Sequence, residues 1–253
     1  MNDILKNFYA EFTPLYHLIY PNWNESIEEQ AYMLDSIIHK AWDNRCSSIL
    51  DVSCGIGTQA IGLTNLGYEV TASDLSLEEI ERAKIEAKQR NLSIVFSVAD
   101  MREAFLHHKK QFDVVIACDN SIPHLLSDDD ILQAFQQFYQ CVRPGGGCII
   151  SVRDYEKEDL TKIQIKPYEV RIENGVRWLL LQLWEPQGSL YDFIMYIIED
   201  NGQSECHTRA LRGQYYAIGI SRLMELMIHA GFEDVKRING MFFQPVIIGM
   251  RTA

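Results

Sequence analysis

The sequence predicts an α/β fold: a mostly parallel sheet with helices on both faces, closed by an antiparallel β-hairpin and carrying an inserted antiparallel β-meander. Three observations carry this expectation. Between Ser48 and Val152, short apolar runs alternate with helical patterns, an order that demands a parallel sheet. From Val170 to Tyr216 the helical periodicity gives way to three successive strand-like stretches. Two last strand-like runs then flank Asn239-Gly240, and Asn-Gly is a strong hairpin signal.

The N-terminal stretch, residues 1–24, is rich in aromatics: Phe8, Tyr9, Phe12, Tyr16, Tyr20 and Trp23. Residues 27–42 place Ile27, Ala31, Leu34, Ile37, Ile38 and Trp42 near helical spacing. The aromatics fit a helix packed on the main body or a cover over a ligand mouth, and the two are compatible. Ile49 to Val52 has the length and β-branched content of a buried strand. It breaks into Gly55-Ile56-Gly57, where the missing side chains allow a tight turn and close approach of a ligand, and a helical pattern follows. The free amides of such a helix start favour an electron-rich group, so the segment fits a nucleotide-type cofactor. By itself it also fits the dinucleotide fingerprint.

Tyr68 to Asp74 is a second strand, and Asp74 lies roughly 20 residues beyond the glycine turn, where an acid can accept from both ribose hydroxyls. Ser76 caps the next helix, with Glu79 in the capping-box position, and that helix runs to about Arg90. Ser93 to Val98 leads to Asp100, and Phe112 to Cys118 leads to Asp119-Asn120-Ser121. A helix from about Ser127 to Val142 stops at Arg143-Pro144-Gly145-Gly146-Gly147, which turns the chain into a fifth strand, Cys148 to Val152. The meander comprises Val170 to Glu185, Leu190 to Glu199 and Glu205 to Tyr216, with turns at Gln187-Gly188 and Asn201-Gly202. A helix from Ser221 to Ala230 precedes the closing hairpin, Phe232 to Ile238 and Phe242 to Arg251. The expected organisation is an N-terminal helical cover (1–44), a core (45–155 and 217–253) and an inserted β subdomain over the acceptor site (156–216).

In such sheets ligands bind beyond the carboxyl ends of the strands. Asp51 with Gly55, Asp74, Asp100, Asn120 and Arg153 all fall there. Each alone fits a cap or turn residue; together they point to a site. A net charge of −12 argues against a nucleic-acid partner, which normally meets a basic surface. Six cysteines without a C-x-x-C pair read as reduced, and no histidine spacing indicates a metal. No apolar run approaches the ~18 residues of a membrane span, and no signal peptide is evident, so a cytoplasmic, membrane-free protein is expected. A homo-oligomer is left open.

The segment Leu50-Asp51-Val52-Ser53-Cys54-Gly55-Ile56-Gly57, the acids Asp74 and Asp100, the Arg143-Pro144-Gly145-Gly146 turn and the closing hairpin together resemble the class I S-adenosylmethionine-dependent methyltransferases. The resemblance covers roughly residues 45–155 and 219–251, and implies a Rossmann-like sheet and S-adenosylmethionine as cofactor. It also implies that Gly55 and Gly57 sit against the methionine and ribose part, that Asp74 holds the ribose, and that Asp100 faces the adenine with Met101 packed beside it. Asp51 is expected to orient the loop and the cofactor's ammonium, with Leu75, Asp119 and Tyr16 completing the cofactor site.

A finer resemblance, to glycine and sarcosine N-methyltransferases, rests on Asn120-Ser121-Ile122-Pro123-His124-Leu125 and on Arg153-Asp154-Tyr155-Glu156. It implies that Asn120 contacts the acceptor amine and Arg153 the acceptor carboxylate, and planar guanidinium geometry suits the latter. An ion pair of Arg153 with Asp154 or Glu156 is the alternative. His124 is either a structural hydrogen-bonding residue or a base for a hydroxyl acceptor. The family's cofactor-binding arginine in the first helix has no counterpart, since Asn22 to Ser36 holds Glu25, Glu28 and Glu29 but no Arg or Lys. The function implied is methylation of a small molecule, N-methylation of glycine or a related amine or amino acid. O-methylation of another metabolite, a dinucleotide-dependent oxidoreductase and a non-catalytic cofactor-binding protein are its rivals.

Overall fold

The computed structural model describes residues 3–42 and 46–252. The expected boundary at residues 44–45 falls outside the described residues. Two amphipathic segments open the chain, α1 (Asp3–Phe12) and α2 (Trp23–Trp42), joined through a 3-10 turn at Thr13–Ile19. Alternation then begins: β1 (Ser48–Asp51), α3 (Thr58–Asn65), β2 (Glu69–Asp74), α4 (Leu77–Gln89), β3 (Val95–Val98), α5 (Ala104–His108), β4 (Phe112–Ala117), α6 (Asp128–Cys141) and β5 (Val142–Ser151). The second half contains β6 (Gln164–Pro167), β7 (Arg171–Glu173), β8 (Val176–Gln187), β9 (Leu190–Asp200) and β10 (His207–Tyr216). It ends with α7 (Ile220–His229), β11 (Glu233–Ile238) and β12 (Val246–Met250).

The main sheet has the order β3-β2-β1-β4-β5-β12-β11. Its first five strands are mutually parallel, while β12 runs antiparallel to both β5 and β11. Period-two alternation divides its core between two faces. Ile49, Val114, Ile116 and Ile149 pack with Leu34, Ile37 and Ile38 of α2 and Ala60 of α3. Their neighbours Leu50, Val115, Ala117 and Ile150 pack with Phe135 and Phe138 of α6 and Leu223 of α7. The central strands thus need apolar residues on both sides, which is why β4 is buried along its whole length, while the edge strands β3 and β11 hold no fully buried residue.

The second sheet, β10-β9-β8-β6 with β7 also on β8, is antiparallel throughout. Three local details differ from the sequence reading. The stretch starting at Val170 is two strands, because Asn174 and Gly175 both adopt positive φ (51° and 80°) and form a two-residue turn between β7 and β8. Gln164–Pro167 adds an unforeseen strand on the other end of β8. The Arg143–Gly146 segment is a bulge inside β5 rather than a turn before it: Val142 pairs with Phe112, and regular pairing resumes at Gly147. The buried face of this sheet, with Trp184, Tyr191 and Phe193, joins the main core through Phe8 and Phe12 of α1. No helix among the described residues is long and apolar enough to cross a membrane.

Candidate active site

The site begins at the carboxyl end of β1. The chain leaves the strand through Ser53-Cys54 and turns at Gly55 and Gly57, whose φ values of +53° and +94° disfavour any side chain. The two glycines do different things. Gly55 lines a cavity of about 230 Å³. Gly57 sits behind the wall, where a Cβ would press on Ile61 at 3.1 Å and Ala83 at 3.4 Å. Asp51 lies behind the loop too, 1 % exposed. Its Oδ1 accepts from the Ser53 amide at 3.2 Å, while Oδ2 has no partner. Burial pushes its carboxyl up to about 7.

At the end of β2, Asp74 ties the loop to the next helix: Oδ2 accepts from the Gly55 amide at 2.9 Å and Oδ1 from the Ser76 amide at 3.0 Å. This alters the expected capping box. Ser76 Oγ does cap the Glu79 amide at 3.2 Å, but the Ser76 amide is taken by Asp74, and the Glu79 carboxyl turns to the cavity beside Asp74. Glu79 is 2 % exposed, and desolvation with the adjacent Asp74 charge raises it well above the usual carboxylate range. Burial raises Asp74 as well, against the pull of the two amides. Two adjacent buried carboxyls resist ionising together, and burial beside the Asp74 charge favours the protonated form of Glu79.

After β3, both oxygens of Asp100 accept from the Arg102 guanidinium, and Arg102 also reaches Asp130 at 2.8 Å. Asp100, Met101, Leu75, Tyr16, Asp119 and His124 all line the same cavity. His124 Nε2 lies 2.6 Å from Tyr9 Oη, and its ring sits 4.3 Å from that of Tyr215. Burial pushes His124 down to about 3, so the imidazole is neutral at physiological pH.

A second cavity of about 60 Å³, the inner one with respect to the cofactor-type loop, adjoins the first against the second sheet. Arg153, Asn120, Gln182 and Tyr168 line it. Asn120, 3 % exposed, accepts from the Arg153 amide with Oδ1 at 3.0 Å and donates to Tyr155 Oη with Nδ2 at 2.9 Å. The Arg153 guanidinium stands over Trp184, 4.5 Å from the ring centroid, and donates to Tyr191 Oη at 3.2 Å. The local ion pair is not formed. Asp154 pairs instead with Arg237 and Lys157, and Glu156 accepts from the Ser221 amide. Among the described residues no carboxylate lies within ion-pair distance of Arg153.

Of the residues singled out in the sequence, the outer cavity gathers Tyr16, Gly55, Asp74, Leu75, Asp100, Met101, Asp119 and His124. The inner one adds Asn120 and Arg153. Asp51 and Gly57 support the loop from behind. Glu79, Trp184, Tyr191 and Tyr215 carry no sequence signal of a site, whereas Tyr155 belongs to the Arg153–Glu156 motif and Tyr9, Tyr16 and Tyr20 to the N-terminal aromatic cluster.

Residues 49–146 match the family described as "Methyltransferase domain". The glycine/sarcosine N-methyltransferase of Parasynechococcus marenigrum (strain WH8102) is 29% identical over 136 residues, 54% of this chain and 47% of that protein. The ubiquinone biosynthesis O-methyltransferase of Rickettsia bellii (strain OSU 85-389) is 31% identical over 168 residues, 62% of this chain and 66% of that protein. The chain spans about half the length of the first curated relatives it matches. Among solved structures, DesVI from Streptomyces venezuelae superposes with a TM-score of 0.81 at 16% identity, covering 96% of this chain and 98% of its own. The sugar N-methyltransferase KedS8 from Streptoalloteichus sp. ATCC 53650 gives 0.76 at 17%, covering 94% and 93%. At such identities the likeness bears on the fold, and it agrees with the mixed sheet closed by β11 and β12.

Proposed function

Because this chain carries a methyltransferase domain at residues 49–146 on a class I methyltransferase fold, we propose that it transfers a methyl group from S-adenosylmethionine to the nitrogen of a small acceptor bearing a carboxylate, glycine or a related amino acid. The observation that carries the acceptor class is Arg153. Arg153 is half-buried with no carboxylate at ion-pair distance, and a ligand carboxylate in the second cavity supplies that partner. The wall of Trp184, Tyr155 and Tyr191 holds the guanidinium plane in place.

The outer cavity suits the cofactor. Asp74 has lone pairs left beyond its two amide contacts for ribose hydroxyls, Gly55 leaves the wall open, and Leu75 and Met101 offer apolar surface for the adenine near Asp100. When bound, the cofactor supplies a methyl group on a sulfonium sulfur. The chain's own residues bind, orient and exclude water. Tyr9, Tyr16 and Tyr20 from the N-terminal cover, and Gln214 with Tyr215 from β10, close over the outer cavity. That enclosure favours a small acceptor, and holding two reactants in line can account for ~7–11 kcal/mol of barrier lowering.

A hydroxyl acceptor would need a base near neutrality, and His124, held down to about 3, is a poor one. A dinucleotide oxidoreductase does not account for β12 running antiparallel between β5 and β11. The test is an acceptor screen with S-adenosylmethionine: amino acids, the same amines without the carboxylate, amino sugars and phenols, read by release of S-adenosylhomocysteine. Turnover strongest with amino acids is expected. A best acceptor lacking a carboxylate overturns the amino-acid reading, and no turnover in any class overturns the enzyme reading.

A further inference from the structure

The two cavities share four lining residues, Tyr9, Tyr16, Asp119 and Tyr215. Three are phenols and one is a carboxylate. If a methyl donor fills the outer cavity and Arg153 anchors an acceptor in the inner one, the reacting nitrogen lies where the cavities meet. Asn120 does not serve it well: its carbonyl oxygen holds the Arg153 amide and its amide nitrogen holds Tyr155. We propose that Asp119 seats the acceptor's amine at this junction and takes the proton the amine must shed. This rests on the amino-acid reading above and adds a residue to it.

The backbone is built to present this side chain. Asp119 and Asn120 both adopt left-handed conformations, φ +55° and +64°, a strained arrangement for two successive non-glycine residues. It is held from β5, where Ser151 Oγ accepts from the Asp119 amide at 2.8 Å and the Ser151 carbonyl from the Asn120 amide at 3.1 Å. The carboxylate is oriented by neutral donors alone, Tyr20 Oη at 2.8 Å and Gln244 Nε2 at 3.3 Å. Among the described residues no cation lies within ion-pair distance of it. An oriented carboxylate with free lone pairs, on which the Arg153 charge acts only from beyond ion-pair distance, matches an ammonium, and Arg153 in the cavity it shares matches the other end of a zwitterion.

In the step itself the acceptor's N–H bond breaks, its electron pair stays on nitrogen as the lone pair, and the proton joins an Asp119 oxygen. That proton leaves to solvent when the product departs. Burial raises Asp119 above the usual carboxylate range, while Tyr20, Arg153 and Gln244 pull it down. The other titratable groups facing it are Tyr9 and Tyr16 from the N-terminal cover, Cys118 beside it, and Tyr168 and Tyr215 from the second sheet. All of these are pushed up and stay neutral near pH 7.

Asp119→Asn tests the assignment, because the amide keeps the size and, with its oxygen towards Tyr20, the shorter of the two contacts, while its NH2 group replaces the oxygen that faces Gln244. With the amino acid that the wild-type chain turns over best, kcat/KM at pH 7 should fall at least tenfold. The loss should shrink about tenfold per pH unit towards the amine's own pKa, as the variant must await the free amine. Calorimetry should give an unchanged Kd for S-adenosylhomocysteine, and the variant should no longer favour the amino acid over its deaminated acid. Tyr20→Phe, which keeps the carboxylate but removes one donor, should move the acidic limb of the wild-type profile to higher pH, and carries the test should Asp119→Asn not fold. A pH profile parallel to wild type in Asp119→Asn, a loss confined to S-adenosylhomocysteine affinity, or an unmoved acidic limb in Tyr20→Phe overturns the role of Asp119 while leaving the amino-acid reading intact. If the wild-type chain methylates no amine, both fall.

Discussion

The two adjoining cavities differ in sign and in origin. The outer one is lined by acids from the carboxyl ends of the parallel strands and their loops: Asp74, Glu79, Asp100 and Asp119. The inner one holds a single cation, Arg153, among rings contributed largely by α1 and the second sheet. An acid-lined cavity suits a ligand with hydroxyls, an amino group and positive charge; a cation in an aromatic pocket suits an anion. This division of charge supports the proposal that two ligands occupy separate compartments, which share Asp119. One half of the site is strand-end geometry common to such sheets; the other is what α1 and the meander lay over it.

Breaking the inner compartment should have the largest effect. Replacing Arg153 by Ala removes a half-buried charged partner, a loss of ~1.5–3 kcal/mol for each hydrogen bond it makes to a ligand carboxylate. Steady-state kinetics on the preferred amino acid should show KM raised by two orders of magnitude or more, with the Kd for S-adenosylhomocysteine nearly unchanged. Arg153→Lys should recover only part, since an ammonium lacks the bidentate fork. Wild-type KM in Arg153→Ala would remove the anion from the inner cavity. The mirror experiment is Asp74→Ala. Loss of charge-assisted bonds at ~1.5–3 kcal/mol each should weaken cofactor affinity by roughly 10–100-fold in a folded protein. If calorimetry shows unchanged affinity, Asp74 is only a loop tether, a role it already fills through Gly55 and Ser76.

The unequal origin of the compartments also explains what the sequence makes legible. Asp74 and Asp100 could be found because a strand followed directly by a carboxylate fixes that carboxylate's place at the sheet edge. The parallel order followed from alternation of apolar runs with helices, and β1, β2, β4 and the closing hairpin stand within a few residues of expectation. Glu79 was hidden by its capping position: the pattern Ser76-x-x-Glu79 is satisfied locally, and nothing in it tells which amide Asp74 will claim. Trp184, Tyr191 and Tyr215 come from a sheet whose register against the core is a tertiary matter, so alternation marks them as buried but not as neighbours of Arg153. The strand Gln164–Pro167 is short and ends in proline, which weakens any strand signal.

The acids of the outer compartment leave a signature in stability. Burial raises Glu79 and, up to about 7, Asp51, so the native chain binds more protons than the unfolded one above the unfolded carboxylate value near 4. The stability of the ligand-free protein should therefore fall as pH rises from about 4 through 7. Glu79→Gln fixes the protonated form and should remove part of that slope, melting a few degrees above wild type at pH 8 and equal to it near pH 4, at roughly 2–4 °C per kcal/mol for a chain of this size. Because the amide keeps the neutral form that burial favours at Glu79, cofactor affinity near neutrality should change less than about threefold. A variant less stable than wild type at pH 8 would mean that Glu79 is ionised and that the outer compartment carries a second charge.

The smallest effect is expected at the junction's other polar pair, Tyr9 and His124. Their 2.6 Å contact looks like a proton relay, and both line the outer cavity. The energetics point elsewhere. An imidazole held down to about 3 by burial takes a proton near pH 7 only at a large penalty, whereas a catalytic base works best with a pKa near the operating pH. The Tyr9 phenol is raised by burial and by the acids around it, so it keeps its proton too. The pair is then a neutral hydrogen bond that fastens α1 to the segment after β4, with the tilted Tyr215 ring as backing. Tyr9→Phe preserves the ring contacts with Phe8 and Tyr16 and removes only the hydroxyl. A neutral hydrogen bond of ~0.5–1.5 kcal/mol is lost. The expected result is a melting point lower by a few degrees, kcat within about threefold of wild type, and an unchanged pH profile between 6 and 9. A hundredfold loss of kcat together with a displaced acidic limb would make His124 the proton acceptor, and would return a hydroxyl acceptor to consideration.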